Sequence, residues 1–140
     1  MSARYFLDTN VFVYSLDQAS PLKAQKAAKL IREALDVGSG VISYQVVQEF
    51  FHVALRRFSR PMSPHSAQEY FNTTFRPLLA VQSSPALFIT ALQIFADAHL
   101  SWFDCLIVAA AREANCATLY SEDMQHGRVF GGLRIENPFR

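Results

Sequence analysis

"RYFLDTNVFVYSLDQASPLKAQKAAKLIREALDVGSGVIS", residues Arg4 to Ser43, reads as strand, helix and strand in turn. The apolar run at 4–7 has strand length, and another follows at about 40–42. Between them Ser20-Pro21 fits a helix start, with serine as N-cap and proline at the first helical position. Leu22, Ala27, Leu30, Ile31, Ala34 and Leu35 then recur at helical spacing until Gly38 ends the segment. One residue breaks the scheme. Asp8 stops the first apolar run, and after Thr9 and Asn10 the pattern resumes with Val11, Phe12, Val13 and Tyr14. Read alone, Asp8 is as much an N-cap for a short helix beginning near Asn10 as a functional carboxylate. Ligands do collect outside the carboxyl ends of strands in open parallel sheets, and Asp8 sits at such an end.

The alternation continues downstream. Ser63-Pro64 and Ser84-Pro85 repeat the helix-start pair, and Ser43 and Ser101 look like further caps, opening "YQVVQEFFHVALRRF" and "WFDCLIVAAAREAN". Short apolar runs lie at about 79–82, at 117–120 ("ATLY") and near 133–135. Strands alternating with helices indicate a parallel sheet flanked by helices. With no repeat, linker or low-complexity tract, the expectation is one α/β domain over residues 1–140.

Composition narrows the function classes. The 140 residues are 51% hydrophobic and 18% charged, which supports a packed core and excludes a disordered chain. The net charge of +1 gives no bulk attraction to nucleic acid, so any such binding would come from a local patch. No leader pattern and no apolar run of about 18 residues is found, so neither export nor membrane spanning is expected. Cys105 and Cys116 stand eleven residues apart on what reads as one helix. That is about 16 Å, too far for a disulfide, and two free thiols suit a reducing, cytoplasmic setting.

Of twelve acids, Glu33, Asp36, Glu113, Asp17 and Glu136 read as solvated faces or caps. Glu49 does not. Val46, Phe50 and Val53 surround it on the helix, inside the apolar stripe, where an unpaired carboxylate costs several kcal/mol. Arg56 and Arg57 follow it at seven and eight residues, poor spacing for an intrahelical ion pair. Asp104 precedes Ile107, Val108 and Ala111 on an inward stripe, although three residues after Ser101 it also fits a capping box. Asp123 follows the strand "ATLYS", with Glu122 competing for its role. Two of these acids come from strand ends and two from inward helix faces, so all four can converge on one sheet edge.

Carboxylates about 4 Å apart repel by up to about 4 kcal/mol at an effective dielectric of 20. A divalent cation would relieve this, and oxygen-only donors point to Mg²⁺ or Mn²⁺ rather than Zn²⁺. The histidines at 52, 65, 99 and 126 show no zinc spacing, and His52 and His65 read as surface positions. With five glycines the chain has no phosphate loop, dinucleotide fingerprint or nucleophile elbow. Metal-activated water acting on a phosphodiester is the chemistry that remains.

"FLDTNVFVY", "VVQEFF", "SWFDCLIVAAA" and "LYSEDMQHG" together resemble the four acidic motifs of PIN-domain proteins, and most closely the VapC-type toxin ribonucleases. The resemblance spans nearly the whole chain. It implies a three-layer domain with a central parallel five-stranded sheet flanked by helices. It also implies that Asp8, Glu49, Asp104 and Asp123 form a Mg²⁺-binding catalytic pocket, with Asn10 and Ser121 as polar supports. Single-stranded RNA cleavage, often of tRNA or ribosomal RNA, a homodimer and a cognate antitoxin are implied with them.

For RNA contacts, Arg56, Arg57 and Arg60 cluster at the end of the Glu49 helix, where they equally complement the helix dipole. Lys23, Lys26 and Lys29 read as a solvated face, and Phe12 and Tyr14 as core or dimer surface before base-stacking groups. Two rival readings remain. An aspartate-nucleophile phosphatase needs a second acid two residues after the first, where this chain has Asn10. A non-catalytic RNA- or protein-binding module of the same fold would bind RNA better without the four acids.

Overall fold

The computed structural model describes residues 3–17 and 19–140. Its elements follow the expected alternation. β1 (Tyr5–Leu7), α1 (Thr9–Leu16), α2 (Pro21–Val37), β2 (Gly40–Ser43) and α3 (Tyr44–Ala54) make the first half. Then come α4 (Pro64–Tyr70), a π-helical turn (Phe71–Phe75), α5 (Arg76–Leu78), β3 (Leu79–Val81) and α6 (Pro85–Asp97). α7 (Trp102–Glu113), β4 (Thr118–Tyr120), β5 (Val129–Phe130) and β6 (Leu133–Glu136) complete the chain.

All three Ser-Pro pairs start helices, at Pro21, Pro64 and Pro85. The hydroxyls of Ser63, Ser84 and Ser101 accept from backbone N–H groups of the first turn, whereas those of Ser20 and Ser43 do not. α7 is shorter than its sequence pattern suggests. Asn115 adopts a left-handed φ of 57° just beyond the helix, so Cys116 lies outside α7 rather than on it. Both thiols are buried and free.

The sheet order is β3-β2-β1-β4-β6-β5. β1 lies at its centre, parallel to β2 on one side and to β4 on the other, with Leu7 opposite Tyr120. That register brings the carboxyl ends of β1 and β4 level, so the residues that follow them, Asp8 and Ser121, meet at one edge. The expected five parallel strands are all present, but the sheet has six. β5 is a two-residue strand antiparallel to β6, joined through Gly131-Gly132 with Gly131 at φ 63°. A Gly-Gly pair between short apolar runs is a hairpin signal, and it was legible in "RVFGGLRI".

Phe6, Leu7, Ile42, Leu119 and Ile135 fill the sheet interior, and the α7 run Cys105–Ala111 covers one face. On the other side Phe12, Phe50 and Phe75 pack edge to face, each fully buried. Gly40 has a packing reason. A Cβ there would overlap the Ala34 methyl of α2 and press on the Tyr5 ring, so only glycine lets α2 lie this close to β2. Among the described residues no helix is long and apolar enough to cross a membrane.

Candidate active site

Asp8, Asn10, Glu49, Asp104 and Asp123 line one cavity of about 600 Å³ at the carboxyl edge of the sheet. Convergence of the four acids on this edge is what their positions in the sequence predict, whereas Asn10 is expected beside them only from the family resemblance. The four acids arrive on different pieces of the fold: Asp8 between β1 and α1, Glu49 on α3, Asp104 in the first turn of α7, Asp123 in the loop after β4. None of the four acids forms an ion pair among the described residues.

Asp8 both caps α1 and lines the cavity. Its Oδ1 accepts from the Thr9 N–H at 2.7 Å, which starts α1, while Oδ2 accepts from the Ser121 hydroxyl at 2.8 Å. Burial pushes the Asp8 carboxyl up to about 7. The Ser121 hydroxyl and Thr9 N–H oppose that rise, and the charges of Glu49 and Asp104 add to it. The side chain is 7% exposed, so its ionised form lies in a poorly solvated place.

Glu49 is half-buried in the stripe, as its neighbours Val46 and Phe50 require. Its partners are neutral donors. The Thr9 hydroxyl donates to Oε1 at 2.7 Å, and the Gln45 amide to Oε2 at 3.3 Å. Asp104 has the Ser101 hydroxyl capping its own backbone N–H at 3.1 Å. Partial burial raises its carboxyl above the ordinary value, Ser101 opposes this, and the charges of Asp123 and Glu49 reinforce it. Asp123 is exposed and accepts from the Asn10 amide at 2.8 Å.

Glu122 plays a different part. Its carboxylate accepts from the Tyr14 hydroxyl at 2.6 Å and from Lys23 at 2.7 Å. Burial opposes its ionisation, yet Lys23 and Tyr14 win, and the carboxyl lies below its ordinary value. Lys23 is therefore not a plain member of a solvated face. It ties the loop carrying Asp123 to α2 and sits over the Tyr14 ring at 4.7 Å.

Other expectations divide. Arg57 and Arg60 line an adjoining cavity that shares the walls Val13 and Val53 with the acidic one, whereas Arg56 stands apart from both linings. Phe12 is in the core and Tyr14 packs on Phe139, so neither is available for stacking. His52 joins the acidic cavity, and His65 pairs with Glu69 on the surface of α4. Thr9, Gln45, Gln48 and Phe103 line the acidic cavity too. Gln45 had a local signal, lying one turn before Glu49, and Thr9 had only its place beside Asp8.

Among the described residues no three carboxylate, imidazole or thiol groups converge into a ready-made metal cage. Hydroxyl and amide donors hold the carboxylates apart, the arrangement mutual repulsion favours. The donor set is nonetheless all oxygen, uncompensated by any cation among the described residues, with one member forced toward its protonated form. Asp8, Glu49, Asp104 and Asp123 are the groups that could hold a hard divalent cation, and such a cation would remove the electrostatic cost of ionising Asp8.

A family model described as PIN domain matches residues 5–130. The chain belongs to the PIN-domain family. A search of curated proteins finds no match. Among solved structures it is similar to FitAcB from Neisseria gonorrhoeae, with a TM-score of 0.70 and 16% identity over 96% of this chain and 98% of that one. DNA-bound VapBC from Salmonella typhimurium gives 0.67 and 17% identity over 98% and 99%. VapC20 from Mycobacterium tuberculosis, a toxin that cleaves the sarcin–ricin loop, gives 0.61 and 16% identity over 85% and 89%. At such identities the likeness is one of fold.

Proposed function

We propose that this PIN domain is a Mg²⁺-dependent endoribonuclease, with Mn²⁺ able to replace Mg²⁺, that cuts single-stranded regions of RNA. The observation that carries the reading is the cavity in which Asp8, Glu49, Asp104 and Asp123 meet with no ion-paired cationic side chain among the described residues, one of them buried and raised to about 7. Bound there, the divalent ion supplies positive charge for the phosphodiester and a means of activating water.

The chain's own residues have distinct tasks in this reading. Ser121 and the Thr9 N–H fix the two oxygens of Asp8, and Thr9 and Gln45 orient Glu49. Asn10 holds Asp123 across the mouth of the cavity. The α7 N-terminus places Asp104 opposite them and adds no formal charge. Arg57 and Arg60, beyond Val13 and Val53, are positioned to take phosphates of the strand away from the cut.

The chain is further read as a cytoplasmic toxin with a cognate antitoxin, supported by its likeness to VapBC and FitAB complexes. A homodimer belongs to the same reading. Ile89, Leu92 and Phe95 stand on α6, each more than half exposed, and offer apolar surface for a second copy. The phosphatase reading gains nothing from the geometry, because the Asn10 amide serves as a donor to Asp123.

The test is incubation of purified protein with a pool of structured RNAs, with and without EDTA. Cuts confined to unpaired segments and abolished by EDTA are expected. Phosphate release from small monoesters with intact RNA would overturn the nuclease reading. Growth arrest on expression, relieved by the product of a neighbouring small open reading frame, is expected of the toxin. Harmless expression would remove that label and leave the nuclease.

A further inference from the structure

A further cavity opens off the acidic one, and apart from the shared Gln45 the proposed nuclease chemistry leaves it unused. It measures about 270 Å³ and shares Gln45, Gln48 and Phe103 with the acidic cavity as a common wall. Its aromatic side is made by Tyr44, Phe88, Trp102 and Phe103. Phe88 and Trp102 lie nearly parallel, 18° between planes with centroids 6.5 Å apart. Three of these rings are costly to leave in water: Tyr44 is 41%, Phe88 42% and Phe103 61% exposed. Among the described residues no charged side chain lines this cavity, in contrast to the acids on one side of the shared wall and the arginines beyond them.

Its polar groups are amides and hydroxyls. Gln45 is already engaged, donating to the Phe103 carbonyl at 3.1 Å, which fixes one edge of the opening. Gln48 is exposed and has both halves of its amide available to an incoming group. Ser43 forms part of the lining and is 4% exposed. Its hydroxyl is the one buried side-chain polar atom among the described residues with no hydrogen-bond partner. That oxygen is closed off from the opening, so Gln48 is the polar group an incoming molecule meets.

We infer that this cavity is a base-recognition subsite, holding one unstacked nucleobase of the RNA strand beside the phosphodiester presented to the acidic cavity. An uncharged heteroaromatic ring with donors and acceptors on its edge matches the lining: aromatic faces for stacking, the exposed Gln48 amide for the edge, and among the described residues no charge to neutralise. The subsite admits one base and is far too small for a duplex, so it selects unpaired RNA. Arg57 and Arg60 lie on the far side of the acids, so the strand crosses the cavity from arginines to aromatics. This inference rests on the nuclease reading for its substrate, although the pocket itself does not depend on cleavage.

Trp102 is the only tryptophan of the chain and reports on the site directly. In the Asp8→Asn variant, where cutting is blocked and one negative charge is removed, Trp102 fluorescence is followed during titration with pentameric oligoribonucleotides of A, C, G or U. Saturable quenching that differs among the four is expected, with the tightest partner weakened about tenfold or more by Phe103→Ala, as loss of a stacking face predicts. Phe103 and Gln48 are exposed, so neither substitution disturbs the core. In parallel, the otherwise unaltered protein is given a randomised single-stranded RNA and the cut ends are sequenced. A nucleotide preference at one position beside the cut, relaxed by Phe103→Ala and Gln48→Ala, is expected. No saturable quenching, quenching untouched by both substitutions, or cutting without nucleotide preference overturns the subsite. Quenching with base selectivity but no cutting overturns the nuclease reading and leaves the subsite standing.

Discussion

Ionised Asp8 works against its own fold. Its carboxyl titrates at about 7 when folded, against about 4 in an unfolded chain, so between those values the folded state binds more protons. Stability contributed by the protonated form is therefore present at low pH and lost as pH rises through that window. In EDTA the unfolding free energy should fall by a few kcal/mol at most between about pH 5 and about pH 8, and Asp8→Asn should flatten the slope. Asp104, shifted the same way, leaves a residual slope in that variant. Mg²⁺ should restore stability at the upper end and do little at the lower one. Denaturant titrations at both pH values check this, and a stability that rises through the window contradicts it. Ser121→Ala tests the support beneath Asp8. Losing the 2.8 Å hydrogen bond should raise the Mg²⁺ requirement or lower activity about 10–100-fold, read from rates against free Mg²⁺. An unchanged curve would make Ser121 a bystander.

The elements were legible where their signals are local. Ser-Pro pairs, the cap at Ser101 and the five apolar runs each sit within a few residues, and each marks a real boundary. The misplacement of Glu49 and Asp104 on apolar stripes was equally local, and it led to the cavity. What joins distant residues was not legible. Lys23 and Glu122 are separated by 99 positions, and Thr9 and Glu49 by 40, so no window of sequence reveals either bond. The unpaired Ser43 hydroxyl is the same kind of fact: a cap position by pattern, but one that makes no capping hydrogen bond. The π-helical turn carries no period of its own, and it inserts Phe75 into the aromatic cluster on α1 and α3. Close packing of α2 on β2 likewise shows only in three dimensions. Gly40→Ala should destabilise by about 1–3 kcal/mol, the range for an overpacked site, measured by denaturation. A neutral result would mean that α2 can shift away from β2.

At the scale of the whole molecule, the mostly parallel sheet sets strand ends level so that one edge collects four carboxylates, an aromatic-lined cavity on one side and arginines on the other. The proposed homodimer would use the exposed apolar residues of α6, Ile89, Leu92 and Phe95. Leu92→Glu should convert a dimer to a monomer in light scattering while leaving the fold intact. A variant that stays dimeric places the interface elsewhere. The acidic cavity carries the proposed activity. Its most direct test is the initial rate of cleavage of one single-stranded oligoribonucleotide against free Mg²⁺, for the unaltered protein and for Asp8→Asn. The predicted result is a saturable Mg²⁺ dependence, no cutting in EDTA, and a loss of about 100-fold or more in the variant. Cutting at full rate in EDTA, or an Asp8→Asn protein as active as the unaltered one, would contradict it.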